Sequence, residues 1–230
     1  MRGEGNLENV SHLKENQFQK NHTINIQQKR KYFFYKRLID IIGALSGLIL
    51  LLPLFIIVAV WIKMDDPKGG VFFKQVRIGK NEETFEMFKF RSMCVDAETK
   101  LNELLGKNEV EGAMFKMKND PRITNVGRFI RKTSIDELPQ LWNVLKGDMS
   151  LVGPRPPLPR EVEEYTSHHK KRLKITPGCT GLWQVSGRNN VSFEDMVELD
   201  IKYISNVSFS SDLKILIKTI AVLFGDENAY

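Results

Sequence analysis

Cysteine is almost missing from this chain of 230 residues: Cys94 and Cys179 are the only two, far apart, with no C-x-x-C spacing and no Cys/His cluster around either. That excludes a disulfide framework and a thiolate zinc site, and it fits a reducing compartment. Also missing are the phosphate loops G-x-x-x-x-G-K-[ST] and G-x-G-x-x-G, the zinc motif H-E-x-x-H and the nucleophile elbow G-x-S-x-G. The common nucleotide-binding, zinc-protease and serine-hydrolase routes therefore lack support. Histidine is scarce as well. His12 and His22 fall in a polar N-terminal stretch, and His168 and His169 open the basic run HHKKRLK, which reads as solvated rather than catalytic. Acids are the minority charge, 28 Asp+Glu against 34 Lys+Arg, and the net charge of +6 favours anionic partners. Charge alone does not choose between phosphates, nucleic acid and lipid headgroups.

What is present divides into three expected regions: a flexible polar tail over 1–30, a membrane element over 31–64 and one cytosolic catalytic domain over 65–225. The first 28 residues are rich in Asn, Gln and Lys and too poor in apolar side chains to order themselves, and no small-residue cleavage site marks a signal peptide. Ile41 to Ile62 (IIGALSGLILLLPLFIIVAVWI) is 22 residues without a charge, enough helix to cross a bilayer core of about 30 Å. Basic residues stand on both sides: Lys29, Arg30, Lys31, Lys36 and Arg37 before the run, and Lys63, Lys68, Lys74, Arg77 and Lys80 after it. Positive charge marks the retained side, so both ends are expected on the cytosolic face. Pro53 lies mid-run, where its missing N–H and its ring bend a helix, and Ser46 is a candidate to satisfy backbone groups near the break. Together these predict a re-entrant helix-break-helix hairpin rather than a straight span. Asp40, one turn after Lys36, is a candidate partner for that lysine.

Beyond the hairpin, Val71–Ile78 and Thr84–Phe90 read as two strands paired through the Gly79-Lys80-Asn81 turn, and Asp96–Leu105 has helical spacing. In TSIDELPQLWNVLKG, Leu138, Leu141, Trp142 and Leu145 share one helical face, and Gly147 ends the helix. Ser134 and Glu137 have capping-box spacing, but Pro139 argues for a later start. Gly153-Pro154-Arg155-Pro156-Pro157 is expected to be a rigid loop, 177–181 and 186–190 are expected to be turn-rich loops, and helices are expected over 193–204 and 212–224. The apolar face of the last, through Leu213, Leu216, Ile217 and Ile220, suits either the core or a membrane surface.

Asp136 and Glu137 stand side by side near a helix start, where acids often do no more than complement the helix dipole. Their company argues for chemistry: Lys89, Arg91, Arg128, Arg131, Lys132, Arg155 and Arg188 are all expected in loops or strand ends, where fixed guanidinium forks suit phosphate oxygens. A carboxylate among such cations can hold Mg²⁺ against a pyrophosphate or attack phosphorus itself, and Asp136 is the candidate for either role.

The segments KFRSM (89–93), TSIDELPQLWNVLKGDMSLVGPRP (133–156) and PGCTGLWQVSGR (177–188) closely resemble the bacterial sugar transferase family, the monotopic polyprenyl-phosphate phosphoglycosyl transferases, and the likeness runs over about residues 35–224. The resemblance is to the minimal form, without the regions that longer members carry in front. It implies a mostly helical α+β fold with one re-entrant membrane hairpin, a short β-hairpin and amphipathic interfacial helices. It implies transfer of a sugar-1-phosphate from a UDP-sugar to undecaprenyl phosphate with release of UMP, Mg²⁺ as cofactor, and membrane lipid and downstream glycosyl transferases as partners, with no nucleic acid. On matching motifs Asp136 takes the place of the nucleophile and Glu137 of its partner in metal binding or proton handling. Arg155, Lys89 and Arg91 then belong to a phosphate site, with Asp200 and Asp212 as accessory acids; an N-cap role for Asp212 competes. Leu52 stands where many members have Ser, and Cys179 where an aliphatic residue is usual. Two other readings stay open: a membrane glycosyl transferase that releases UDP, and a tethered anion-binding module without activity.

Overall fold

The structure, a computed structural model, describes residues 29–104, 117, 120–187 and 191–225. The tail over 1–28 and Arg188 lie outside the described residues. The architecture is mostly helical α+β with two small sheets.

Two helices open it, α1 (Arg30–Leu50) and α2 (Leu52–Asp65), bent by 59° at Leu51. Pro53 sits in the first turn of α2, where a missing N–H costs nothing. The bonds from Leu51 N to Gly47 O and from Phe55 N to Leu51 O carry the ladder into and out of the corner. Ser46 is exposed on α1, and the bond from Leu51 does not need it. Among the described residues no single helix is long and apolar enough to cross a membrane, whereas this bent pair passes on length and composition together. Its outer surface is apolar: Ile42, Ile49, Leu50, Leu52, Ile56 and Ile57 are all exposed.

Strands β1 (Phe72–Ile78) and β2 (Thr84–Phe90) form the expected hairpin, antiparallel with Phe72 opposite Phe90 and Ile78 opposite Thr84. The inner faces of the bent pair close on opposite ends of β2. Ala44 of α1 packs with Met87, Val144 and Met149, while Val58 and Ile62 of α2 pack with Phe90, Val126 and Ile130. Burying each of these larger aliphatic side chains is worth about 1.5–3 kcal/mol, so the bent helix pair is part of the core. Helix α3 (Ala97–Leu104) follows, then α4 (Asn125–Lys132), capped by Thr124, whose hydroxyl accepts from Gly127 N at 3.0 Å. Arg128, Arg131 and Lys132 therefore stand on a helix, not in a loop, because the apolar positions Val126 and Ile130 are four apart and bury one face.

The Ser134 box does not form. Ser134 has a left-handed backbone (φ 55°) and no capping bond; a 3₁₀ turn, Ile135–Glu137, comes next, and helix α5 (Gln140–Lys146) starts after Pro139. Gly147 ends it at φ 99°, a conformation that glycine adopts without strain. Leu141 and Leu145 pack inward, but Trp142 is exposed, so the apolar face is narrower than its spacing suggested. The inward polar residue is Asn143, fully buried: its amide donates to Glu86 O at 2.7 Å and accepts from Phe88 N at 2.9 Å, bolting α5 to the free edge of β2.

The segment over 177–181 is not a plain loop. Gly178–Thr180 forms β4, paired parallel with β3 (Ser150–Val152). Helix α6 (Pro159–Glu163), a 3₁₀ turn over His169–Lys174, α7 (Phe193–Ser205) and α8 (Phe209–Gly225) complete the chain. Because α8 begins at Phe209, Asp212 is inside its first turn and does not cap it. Its carboxylate instead accepts from Tyr32, Lys36 and Tyr203, each at 2.7 Å, tying α1, α7 and α8 together. Lys36 thus pairs with Asp212 rather than Asp40, and Asp40 accepts from Leu151 N at 3.0 Å.

Gly127 marks the tightest approach, since a Cβ there would lie 1.9 Å from Ser92 O. Gly127→Ala is expected to lower stability by about 1–3 kcal/mol by pushing α4 off the exit of β2, checked by denaturant unfolding in detergent.

Candidate active site

The 3₁₀ turn carrying Asp136 and Glu137 is held between the ends of α4 and α5, over the exit of β2. The left-handed Ser134 makes this possible, because it reverses the chain within one residue at a cost of about 1–2 kcal/mol. Three elements converge on the pair. Lys89, the penultimate residue of β2, places its Nζ 2.7 Å from Glu137 Oε1, and Arg155 places an Nη 3.1 Å from the same oxygen. Arg131, on α4, donates to Ser92 Oγ at 3.0 Å and acts on Asp136 through space.

The loop that presents Arg155 is fixed by its backbone. Gly178 N donates to Pro154 O and Gly153 N to Thr180 O, both at 2.8 Å. Arg77 donates to Pro156 O at 3.0 Å, and Ile78 N to Pro157 O at 3.0 Å. From below, Arg172 reaches Arg155 O at 3.4 Å while paired with Asp200 at 2.5 Å and bonded to Tyr165 at 2.8 Å. Arg172 and Asp200 are only 2% and 1% exposed at their side chains, so the pair is a buried strut under the loop.

The two acids are treated unequally. Burial would raise the carboxyl of Glu137, but Arg155 and Lys89 hold it well below the usual range. Neither cation is hydrogen-bonded to Asp136. Burial dominates there, and with the Glu137 charge it outweighs the pull of Lys89, Arg131 and Arg155, pushing Asp136 up to about 6. Arg77 is pushed down to about 10 by burial and by the Arg155 charge.

Of the residues singled out in the sequence, the structure brings Asp136, Glu137, Lys89 and Arg155 together. Arg91 goes elsewhere: it donates to the Asp66 carboxylate and carbonyl, closing the end of α2. Arg128 is exposed on α4. Asp200 and Asp212 belong to the strut and to the helix clamp, and neither is bonded to the central pair. The run HHKKRLK is not uniformly solvated, since Arg172 and Leu173 are buried. The sequence reading missed Arg77, Arg172 and Asn143 as supporting residues. Asn143 alone left a signal, as a polar residue three positions after Gln140 in an otherwise apolar helix.

The model of the family described as bacterial sugar transferase matches residues 31–226. The chain belongs to the bacterial sugar transferase family. Among family members it is 50% identical over 196 residues to the galactosyl transferase CpsE of Streptococcus agalactiae serotype III, covering 85% of this chain and 43% of that protein. It is 46% identical over 206 residues to the undecaprenyl-phosphate galactose phosphotransferase of Salmonella typhimurium, covering 88% and 43%. With the exopolysaccharide production protein ExoY of Rhizobium meliloti it shares 42% over 199 residues, covering 85% and 88%. The chain thus spans less than half the length of the first two relatives and most of the third.

Two outcomes follow for the site. Because the folded state raises Asp136, it binds more protons than the unfolded chain between about pH 4 and 6, and stability falls as pH rises through that window. Asp136→Asn is therefore expected to melt above the parent at pH 8, with the gain shrinking as pH drops toward 4, read from melting curves at both pH values. Asp200→Ala, which leaves Arg172 buried and unpaired, is expected to cost about 3–5 kcal/mol in denaturant unfolding.

Proposed function

We propose that this protein is a phosphoglycosyl transferase, moving a sugar-1-phosphate from a UDP-sugar to a polyprenyl phosphate at the cytoplasmic membrane face and releasing UMP. The observation that carries the reading is the division of labour between adjacent acids: Glu137 takes both nearby cations directly, while Asp136 is left as a buried carboxylate without them. A nucleophilic carboxylate has to be dry and unshared, yet close to positive charge that can receive a phosphate. The names of relatives support the substrates: a UDP-galactose-lipid carrier transferase of Erwinia amylovora, the undecaprenyl-phosphate galactose phosphotransferase, and a UDP-N-acetylgalactosamine-undecaprenyl-phosphate N-acetylgalactosaminephosphotransferase of Aeromonas hydrophila.

In this scheme Lys89 and Arg155 meet the donor's diphosphate oxygens, with Glu137 holding both side chains in place beforehand. The Asp136 carboxylate attacks the phosphorus that bears the sugar, an acyl–phosphate bond forms, and the bond to UMP breaks with its electrons leaving on the UMP oxygen. An oxygen of the polyprenyl phosphate then attacks the same phosphorus and frees Asp136. Arg131 and Arg155 offset the charge that builds during both displacements. Mg²⁺ is usually held by one or two carboxylates completed by substrate phosphates. Asp136 and Glu137 with a diphosphate make such a set, and among the described residues no cluster of three or more His, Cys, Asp or Glu offers a protein-only cage. Bound there, the ion would supply charge neutralisation to the leaving nucleotide.

The bent helix pair is the anchor in this reading: it enters and leaves by one leaflet, with basic residues at both ends and exposed isoleucines and leucines in the lipid. The product would open the synthesis of an exopolysaccharide, capsule, O-antigen or protein-linked glycan.

Detergent-solubilised protein, incubated with a panel of UDP-sugars and undecaprenyl phosphate, is expected to release UMP; release of UDP would replace the proposal with simple glycosyl transfer. Asp136→Asn is expected to lose turnover by at least about 10³-fold and to trap no phosphosugar on the chain. Turnover in the parent is expected to fall as pH drops below about 6, where Asp136 takes up its proton.

A further inference from the structure

Directly after β4 the chain makes a turn over 182–187, and two adjacent side chains in it carry an unexplained deficit. Both polar atoms of the Gln184 amide and the indole nitrogen of Trp183 are buried from solvent and have no hydrogen-bond partner. Native proteins rarely leave buried polar atoms unmet, because each costs about 1–3 kcal/mol, and here two neighbours leave one acceptor and three N–H donors unmet.

Their place in the fold connects them to the site. A Cβ on Gly181 would lie 2.6 Å from Gln184 Oε1 and 2.3 Å from Gly153 O, so the amide folds back over Gly181 beside the Gly153 carbonyl. Gly153 leads straight into Pro154 and Arg155, whose guanidinium reaches Glu137. The flanking Leu182 and Val185 pack against the core cluster of Val152, Ile175 and Tyr203, which fixes the turn and keeps the amide from swinging out to water. The cationic side of the site, Lys89, Arg131 and Arg155, suits a diphosphate. A neutral amide and an indole N–H suit something else: an uncharged group that presents acceptors together with one donor.

We infer that Gln184 and Trp183 bind the neutral end of the nucleotide-sugar donor, as specificity-determining residues that take either the imide edge of uracil or the hydroxyls of the transferred sugar. This rests on the donor assignment above. A glutamine amide meets an imide edge with two antiparallel bonds, N–H to Oε1 and Nε2–H to a ring carbonyl, and it meets a pair of sugar hydroxyls through the same two atoms. Both ligands would satisfy the orphaned atoms that the free protein leaves unmet.

The test uses, in the full chain, Gln184→Met, which keeps bulk and removes the polar atoms, and Trp183→Phe, which removes the indole N–H together with one ring. UDP binding by calorimetry, KM and kcat with the preferred UDP-sugar, and melting temperature are measured for each. A merely structural amide would lose stability on replacement, whereas one held for a ligand is expected to leave the melting temperature unchanged or raised. UDP affinity weakened about tenfold or more points to the base, since UDP lacks the transferred sugar. Unchanged UDP affinity with KM for the UDP-sugar raised about tenfold, and kcat retained, points to the sugar. If both affinities stay at the parent value, or if Gln184→Met melts lower, the inference is overturned while the donor assignment stands. If the parent itself binds no UDP and releases no UMP, the donor assignment fails and the inference with it.

Discussion

A single carboxylate oxygen, Oε1 of Glu137, accepts from Lys89 on β2 and from Arg155 on the proline-fixed loop, and so joins three segments far apart in sequence. Two cations brought this close would repel each other and drift apart without a negative charge between them. With Glu137 in place they stand fixed before any substrate arrives, and the neighbouring Asp136 is left buried without a direct cation of its own. The rest of the framework serves this junction. Asn143 locks α5 to β2, and Arg77 and Arg172 hold the loop backbone from two sides. Ser134 turns the chain into the 3₁₀ segment that carries both acids.

The supporting shell is itself charged and buried, which is an expensive way to build. Arg172 and Asp200 are withdrawn from water almost completely, and a pair of aliphatic side chains of equal bulk would often be no less stable. What the ion pair adds is directional: a guanidinium has donors to spare, so one residue holds Asp200, Tyr165 and the Arg155 carbonyl at once. A leucine could fill the space but could not hold the loop.

The hairpin strands, the bend near Pro53, the late start of α5 and the gathering of Asp136 and Glu137 with Lys89 and Arg155 were legible in the sequence, because each depends on local pattern or on a dense motif. What was not legible depends on partners distant along the chain. Lys36 has Asp40 at ideal helical spacing yet chooses Asp212, since the packing of α1 on α7 and α8 brings that acid nearer than local geometry does. Arg172 sits in a basic run that any local reading makes solvent-exposed, and only Asp200 explains its burial. The parallel pairing of β3 with β4 is three residues long, too short for alternation to declare it. Arg91 reads as a phosphate ligand by its neighbours in KFRSM, but it closes the end of α2 through Asp66.

The corner at Leu51 has a mechanical meaning beyond shape. One arm of the bent pair rests on α5 and Met87, the other on Phe90 and α4, and these are the elements flanking the turn that carries the two acids. Seated in a bilayer, such a bracket would set the height of the Asp136 carboxylate above the lipid phosphates as rigidly as the core sets the spacing of its own side chains. On the proposed function, a long-chain lipid acceptor would then need only to diffuse sideways in its leaflet, for its headgroup would already travel at the right level.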